Sequence, residues 1–202
     1  MKIDIIPTLS DNYTYAVIDS KYPSKVLMID AGESAPLIEY LQDNKYELTT
    51  LLITHHHYDH IGGNLELKEK YESKIVAFKD DKSRIPEVDV FVQNNQIWKA
   101  DNFEAKIYHT PGHTSGHIAF YFFNEKKIFT GDTLFSLGCG RIFEGTYKEM
   151  FYSLNKIKKL PKETKISISG IRSLSSLNAT ILEPYFFLIP NFHLYGHNDD
   201  EY

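Results

Sequence analysis

The first half of the chain alternates short apolar stretches with turn-forming residues. Residues 2–9 (KIDIIPTL), 12–19 (NYTYAVID) and 25–30 (KVLMID) are rich in β-branched and aromatic side chains and predict strands. Residues 34–44 (SAPLIEYLQDN) predict a helix, with Ser34 as N-cap, Pro36 in the first turn, and Leu37, Ile38 and Leu41 on one face. A buried-type strand follows at 48–54 (LTTLLIT), then a helix at 64–73 and a strand at 74–78 (KIVAF). Further on, 103–110 (FEAKIYHT) reads as a strand, and 117–123 and 126–131 flank a tight turn as a hairpin. The helix signal is clearest at 146–160. Thr146 and Glu149 have capping-box spacing, Met150, Phe151, Leu154 and Ile157 fall on one face, and Pro161 follows the end. Strands interleaved with helices predict mixed α/β layers.

The pattern breaks near residue 166. Residues 167–202 are serine-rich, poor in charge and without helical period, so the chain divides into a patterned domain, 1–166, and an atypical segment, 167–202. At 202 residues there is room for one sizeable domain. The formal charge of -5 argues against nucleic acid or an anionic membrane as the main partner. No apolar run approaches a membrane span or a signal-peptide core. The single cysteine, Cys139, precludes an intrachain disulfide and reads as structural. These features predict a cytoplasmic protein.

Candidate chemistry lies where predicted strands end. THHHYDHIGG, residues 54–63, packs four histidines around one aspartate. Residues two apart at a strand end project to the same side, so His55 and His57 can share one ion while His56 faces away. Asp59 and His60 follow where the chain turns and can face a second ion. Imidazole and carboxylate suit zinc, iron or manganese. HTPGHTSGH (109–117) and FTGDT (129–133) also leave strands, bringing His113 and Asp132 towards the same sheet edge. A histidine in PGHT or an aspartate in GDT is by itself ordinary loop chemistry; the ordered combination is specific.

His-x-His-x-Asp-His, then PGHT, then TGDT resembles the metallo-β-lactamase superfamily. Within it, DNYTY near the start and LFSLGCGRIFEGT (134–146) are most similar to glyoxalase II, the hydroxyacylglutathione hydrolases. The resemblance covers roughly residues 1–166. It implies an α/β fold, the αββα sandwich, with the family's C-terminal helical region missing or replaced. It implies two divalent ions, zinc first and iron or manganese as alternatives. His55, His57 and His113 would hold one, Asp59 and His60 the other, and Asp132 both. The family's last histidine is absent from its expected place after TKI (164–166). YGHNDDEY at 195–202 resembles that motif, with His197 in the ligand position and the interval as an inserted segment. Arg141 matches a substrate-contacting position. The implied activity is hydrolysis of S-(2-hydroxyacyl)glutathione, such as S-lactoylglutathione, in methylglyoxal detoxification. Asp59 and Asp132 are the implied catalytic carboxylates, the glutathione thioester is the partner, and the oligomeric state is open. The alternatives are a single-iron persulfide dioxygenase, another hydrolase of this fold, and an inactive relative lacking the last ligand.

Overall fold

The structure, a computed structural model, describes residues 1–136 and 138–170. Strands β1 (Lys2–Thr8), β2 (Asn12–Ile18), β3 (Lys25–Ile29), β4 (Glu47–Leu52), β5 (Lys74–Phe78) and β6 (Val90–Val92) form one sheet in chain order. Its first two pairings are antiparallel and the rest parallel. The second sheet runs β11-β10-β9-β8-β7, from β7 (Ile97–Ala100), β8 (Phe103–His109), β9 (Ile118–Phe122), β10 (Lys127–Phe129) and β11 (Lys165–Ser167). The predicted hairpin is β9–β10, with Phe122 opposite Lys127.

Alternate residues along the strands serve different cores. Tyr15, Val17, Leu27, Ile29, Leu52, Val76 and Phe78 point inward against Phe103, Ile107, Phe120, Phe122 and Phe129 of the second sheet. Ala16, Val26, Met28, Leu51, Ile75 and Ala77 point outward against Leu37 and Leu41 of helix α1 (Ala35–Asn44) and Leu67. The short helix α2 (Tyr58–Ile61) and helix α3 (Asn64–Tyr71), which contributes Leu67, follow β4. Beyond the second sheet, Ala119, Tyr121, Ile128 and Ile166 pack on Ile157 of helix α4 (Tyr147–Lys158). Helix, sheet, sheet, helix is therefore the layer order, and the predicted αββα sandwich is the fold. Phe120, Phe122 and Phe129 are among the largest fully buried side chains. Each stabilises the sandwich by about 1.5–3 kcal/mol relative to exposure.

Local details depart from the sequence reading in three places and match it at the cap of α4. Ser34 occupies the N-cap of α1 but makes no capping bond; its hydroxyl donates to Glu66 Oε2 instead. The capping box of α4 is complete: Glu149 N–H donates to Thr146 Oγ1 at 3.2 Å, and Thr146 N–H to Glu149 Oε2 at 2.8 Å. Phe151, expected on the buried face of α4, is 42% exposed. It lies 100° around the helix from Met150, so only one of the pair can face the sheet. Strands β6 and β7 have no predicted counterpart, because three and four residues are too few to display a period. The described residues end at 170, so most of the atypical segment 167–202, His197 included, lies outside them.

Candidate metal centre

Five strands, β3, β4, β8, β10 and β11, end at one rim. The residues that follow them are Asp30, Thr54–His55, His113, Asp132 and Ser169. Thr54 C=O accepts from Ile118 N–H at 2.9 Å, fastening the end of β4 to the start of β9 across the sandwich. Two glycines make the close approaches possible. Gly112, in PGHT, has φ of +143°, and a Cβ there would lie 2.8 Å from Met150 Cβ of α4. Gly131, in GDT, has φ of +47°, and a Cβ there would lie 2.6 Å from Thr54 Oγ1. Only a residue without a side chain satisfies both demands.

Two groups of donors converge, His55 with His57 and His113, and His55 with His60 and Asp132. His57 Nδ1 lies 3.1 Å from His55 Nε2 and 3.0 Å from His113 Nε2. A tetrahedral ion with ligands at about 2.0–2.1 Å would space its nitrogens about 3.3 Å apart, so the tripod is close to that edge length. Asp132 reaches both groups with different oxygens: Oδ2 is 3.3 Å from His113 Nε2, and Oδ1 is 3.2 Å from His60 Nε2. Asp59, half-exposed, sits at the margin. Its Oδ2 is 3.5 Å from His60 Nε2 and accepts from Asn12 Nδ2 at 3.0 Å.

The hydrogen-bond partners fix where the lone pairs point. Thr54 O–H donates to Asp30 Oδ2 at 2.7 Å, because a carboxylate only accepts. Thr54 Oγ1 then accepts from His55 Nδ1 at 3.0 Å, leaving His55 Nε2 as a lone pair. His113 Nδ1 donates to the Arg141 carbonyl at 2.6 Å, which likewise aims Nε2 inward. His60 Nδ1 donates to Asp30 Oδ2 at 3.0 Å. Its Nε2 is buried, makes no aligned hydrogen bond, and faces the oxygens of Asp132 and Asp59. A neutral His60 would thus oppose acceptor to acceptors. Only a proton or a cation resolves that, so this donor set fits a metal.

The electrostatics agree. Burial, reinforced by the neighbouring histidines, pushes the His55 imidazole well below its ordinary range. Burial and His113 bring His57 down to about 4. Both are therefore neutral, ligand-competent imidazoles at neutral pH. Burial also opposes charge on His60, but the carboxylates of Asp132 and Asp30 outweigh it and raise that group well above its usual value. Burial raises the Asp132 carboxyl less than His60 and His113 lower it, so it stays ionised.

Several positioning residues escaped the sequence reading. Asp30 orients ligands in both groups, and its signal was only a strand-end aspartate. His117 accepts the Asp132 backbone N–H on Nε2 at 3.0 Å and stacks on His55 at 4.8 Å. It lies within the HTPGHTSGH stretch but was not singled out. Ser169 donates to Asp132 Oδ1. With Asp11, Asn12, Asp59, Asp132, Phe135 and Gly170 it lines a small polar cleft beside His60. Arg141 is exposed. Its guanidinium carbon lies 5.0 Å from the centroid of the Phe143 ring, which packs edge-on against His57 and His113. His56 faces away from the tripod, as expected, towards Asp81 and Glu144.

Comparison with known proteins decides the kinship. The profile of the metallo-beta-lactamase superfamily matches residues 11–168. A hydroxyacylglutathione hydrolase from Pelagibacter ubique (strain HTCC1062) is 57% identical over 166 residues, 82% of this chain and 69% of that protein. The chain belongs to the hydroxyacylglutathione hydrolase family of the metallo-beta-lactamase superfamily. A second member, from Rhodopseudomonas palustris (strain BisB5), is 43% identical over 183 residues, 90% of this chain and 71% of its own. The BLEG-1 B3 metallo-beta-lactamase superimposes with a TM-score of 0.78 at 22% identity, over 85% of this chain and 92% of that one, which speaks to the fold alone. Among the described residues no helix is long and apolar enough to cross a membrane.

Proposed function

We propose that the chain is a metal-dependent thioester hydrolase acting on S-(2-hydroxyacyl)glutathione. The observation that carries this reading is the pairing of 57% identity to a hydroxyacylglutathione hydrolase with two donor groups joined by Asp132. In this reading His55, His57 and His113 hold the first ion, His60 and Asp59 serve the second, and Asp132 serves both. Zinc suits the histidine-rich first group best, with iron or manganese as alternatives. When bound, such a pair of ions supplies a water acidified to about pKa 7 and charge stabilisation for the carbonyl oxygen.

The protein residues do the positioning. Asp30, through Thr54 and directly, presents the lone pairs of His55 and His60. Asp59, tethered by Asn12, offers a carboxylate that accepts a hydrogen bond from the attacking water and orients it. Phe143 provides an apolar wall beside the tripod, and the exposed Arg141 guanidinium suits a substrate carboxylate. The departing glutathione thiolate needs little acid assistance. The products are a 2-hydroxy acid and glutathione. A cytoplasmic setting is consistent with a glutathione thioester as substrate.

The test is turnover of S-lactoylglutathione by metal-loaded protein, followed as loss of thioester absorbance with stoichiometric free thiol. Thioester loss with no oxygen consumption supports the reading. Oxygen consumption with glutathione persulfide, and no thioester loss, would replace it with the dioxygenase alternative. No turnover of either at full metal content would indicate an inactive relative.

A further inference from the structure

Behind the tripod lies a charged cluster that the hydrolytic reading does not use. Glu144 accepts from Arg84 Nη1 on both oxygens at 2.8 Å, from the Ser115 backbone N–H at 2.8 Å and from Ser115 Oγ at 2.9 Å. His56 Nε2 stands 3.3 Å from its other oxygen. The second terminal nitrogen of Arg84 donates to Asp81 and, at 3.1 Å, to Ser115 Oγ. Asp81 is buried, 1% exposed, and its carboxylate fills the space where a side chain on Gly116 would stand.

Three members, His56, Ser115 and Glu144, sit on segments that carry or orient the first donor group, and Arg84 and Asp81 join them from the 79–84 segment. His56 lies between His55 and His57. Ser115 follows His113 by two residues. Glu144 follows Arg141, whose carbonyl orients His113, by three. Two backbone bonds complete the join: Phe143 N–H donates to His113 C=O at 3.1 Å, and Gly145 N–H to Gly112 C=O at 3.2 Å. None of the hydrogen bonds or ion pairs described for Arg84 and Glu144 reaches His60, Asp59 or Asp132.

We infer that Arg84 and Glu144 are positioning residues that latch the 141–145 loop onto the His113 loop and so set the geometry of the first metal position and not of the second. The inference rests on the proposed first metal position. The guanidinium supplies two nitrogens to two different carboxylates, Glu144 and Asp81. A lysine offers one nitrogen and cannot make that fork.

The experiment uses the full chain with Arg84→Met, Glu144→Gln, the double variant, and Arg84→Lys as the milder change. The first readout is hydrogen exchange in metal-free protein, which does not depend on activity. Exchange should quicken by on the order of tenfold or more in 110–117 and 140–146, with the β2–β3 core unchanged. The second is chelator competition with zinc alone. One of the two ions should be held on the order of 10–100-fold less tightly, the range typical when a ligand's supporting partner is lost. The double variant should fall clearly short of the sum of the two single effects, since both cut the shared Arg84–Glu144 link. The metal-free NMR signal of the His113 Nδ1 proton, lost to faster exchange, would assign the weakened site.

Unchanged exchange in both loops, or equal weakening of both ions, would overturn the inference, the latter marking general destabilisation. If the methionine variant does not fold, Arg84→Lys decides by the same two readouts. A wild-type chain that binds two ions but cleaves no thioester would sink the hydrolase reading and leave this inference to stand or fall on exchange and affinity.

Discussion

Asp30→Asn keeps the size and shape of the side chain but removes its charge and one of its two acceptor oxygens. Asp30 has φ of +56°, a conformation asparagine tolerates as well as aspartate, so the backbone should not object. The side chain is buried and accepts from Thr54 N–H at 2.8 Å, Thr54 O–H at 2.7 Å and His60 Nδ1 at 3.0 Å. An amide has one acceptor oxygen and cannot satisfy all three donors. Its least costly orientation keeps the oxygen towards Thr54 O–H and His60 and turns the NH2 towards the Thr54 N–H. One buried donor is then unpaired, at about 1–3 kcal/mol, and two remaining bonds each lose about 1 kcal/mol of charge assistance. The sum is about 3–5 kcal/mol, a large part of the roughly 5–15 kcal/mol that holds such a domain together. For a chain of this size the melting temperature should fall by about 6–20 °C. The acceptor that fixes the His60 tautomer also loses its charge, so one ion should be held about 10–100-fold less tightly. Urea denaturation of metal-free protein and zinc content after dialysis measure both effects. A variant within about 0.5 kcal/mol of wild type that keeps both ions would refute the reasoning.

Three further outcomes are expected. Asp132→Ala should abolish retention of both ions, read by elemental mass spectrometry, and thioester turnover with it; full activity would eliminate Asp132 as the shared ligand. Burial raises the Glu144 carboxyl, but bonds from Ser115 and Arg84 outweigh it and hold the group at about 2, below the ordinary 4.5 of a glutamate. A depressed carboxyl stabilises the fold fully above its unfolded value and loses that contribution as pH falls from about 4.5 through about 2. The stability gap between wild type and Glu144→Gln should therefore narrow from pH 6 to pH 3, and a constant gap would contradict the assignment. Gly112→Ala should cost about 1–3 kcal/mol by thermal melting, since its Cβ would press on Met150 from a strained backbone.

What the sequence disclosed was mainly what is periodic or clustered. Strands such as 25–29 and 74–78 were legible because both faces are buried, and α4 because its cap and its period agree. His55, His57, His60, His113 and Asp132 stood out because their residue types are rare at such spacing, and all five converge in the fold. Asp30, His117 and Ser169 left no comparable mark. Asp30 ends a strand as many aspartates do, and its role exists only because β3 lies beside β4. Phe151 illustrates the opposite failure: its neighbour Met150 had the same apolar character, and composition cannot choose between adjacent positions on a helix.

The alternation of side chains in β4 has a consequence for where this molecule can be altered. Leu51 and Leu52 face opposite cores, and His55 is carried at the end of the same pleated run. Deleting one residue from β4 would exchange inward and outward faces and swing the histidines off target together. The connections at the far rim, residues 19–24 and 123–126, carry no such phase. Lengthening them costs only about 0.6 kcal/mol per doubling of loop length. A fluorescent label, affinity tag or small inserted domain should therefore be accepted between Asn124 and Glu125, while the ligand-bearing rim keeps its lengths residue for residue.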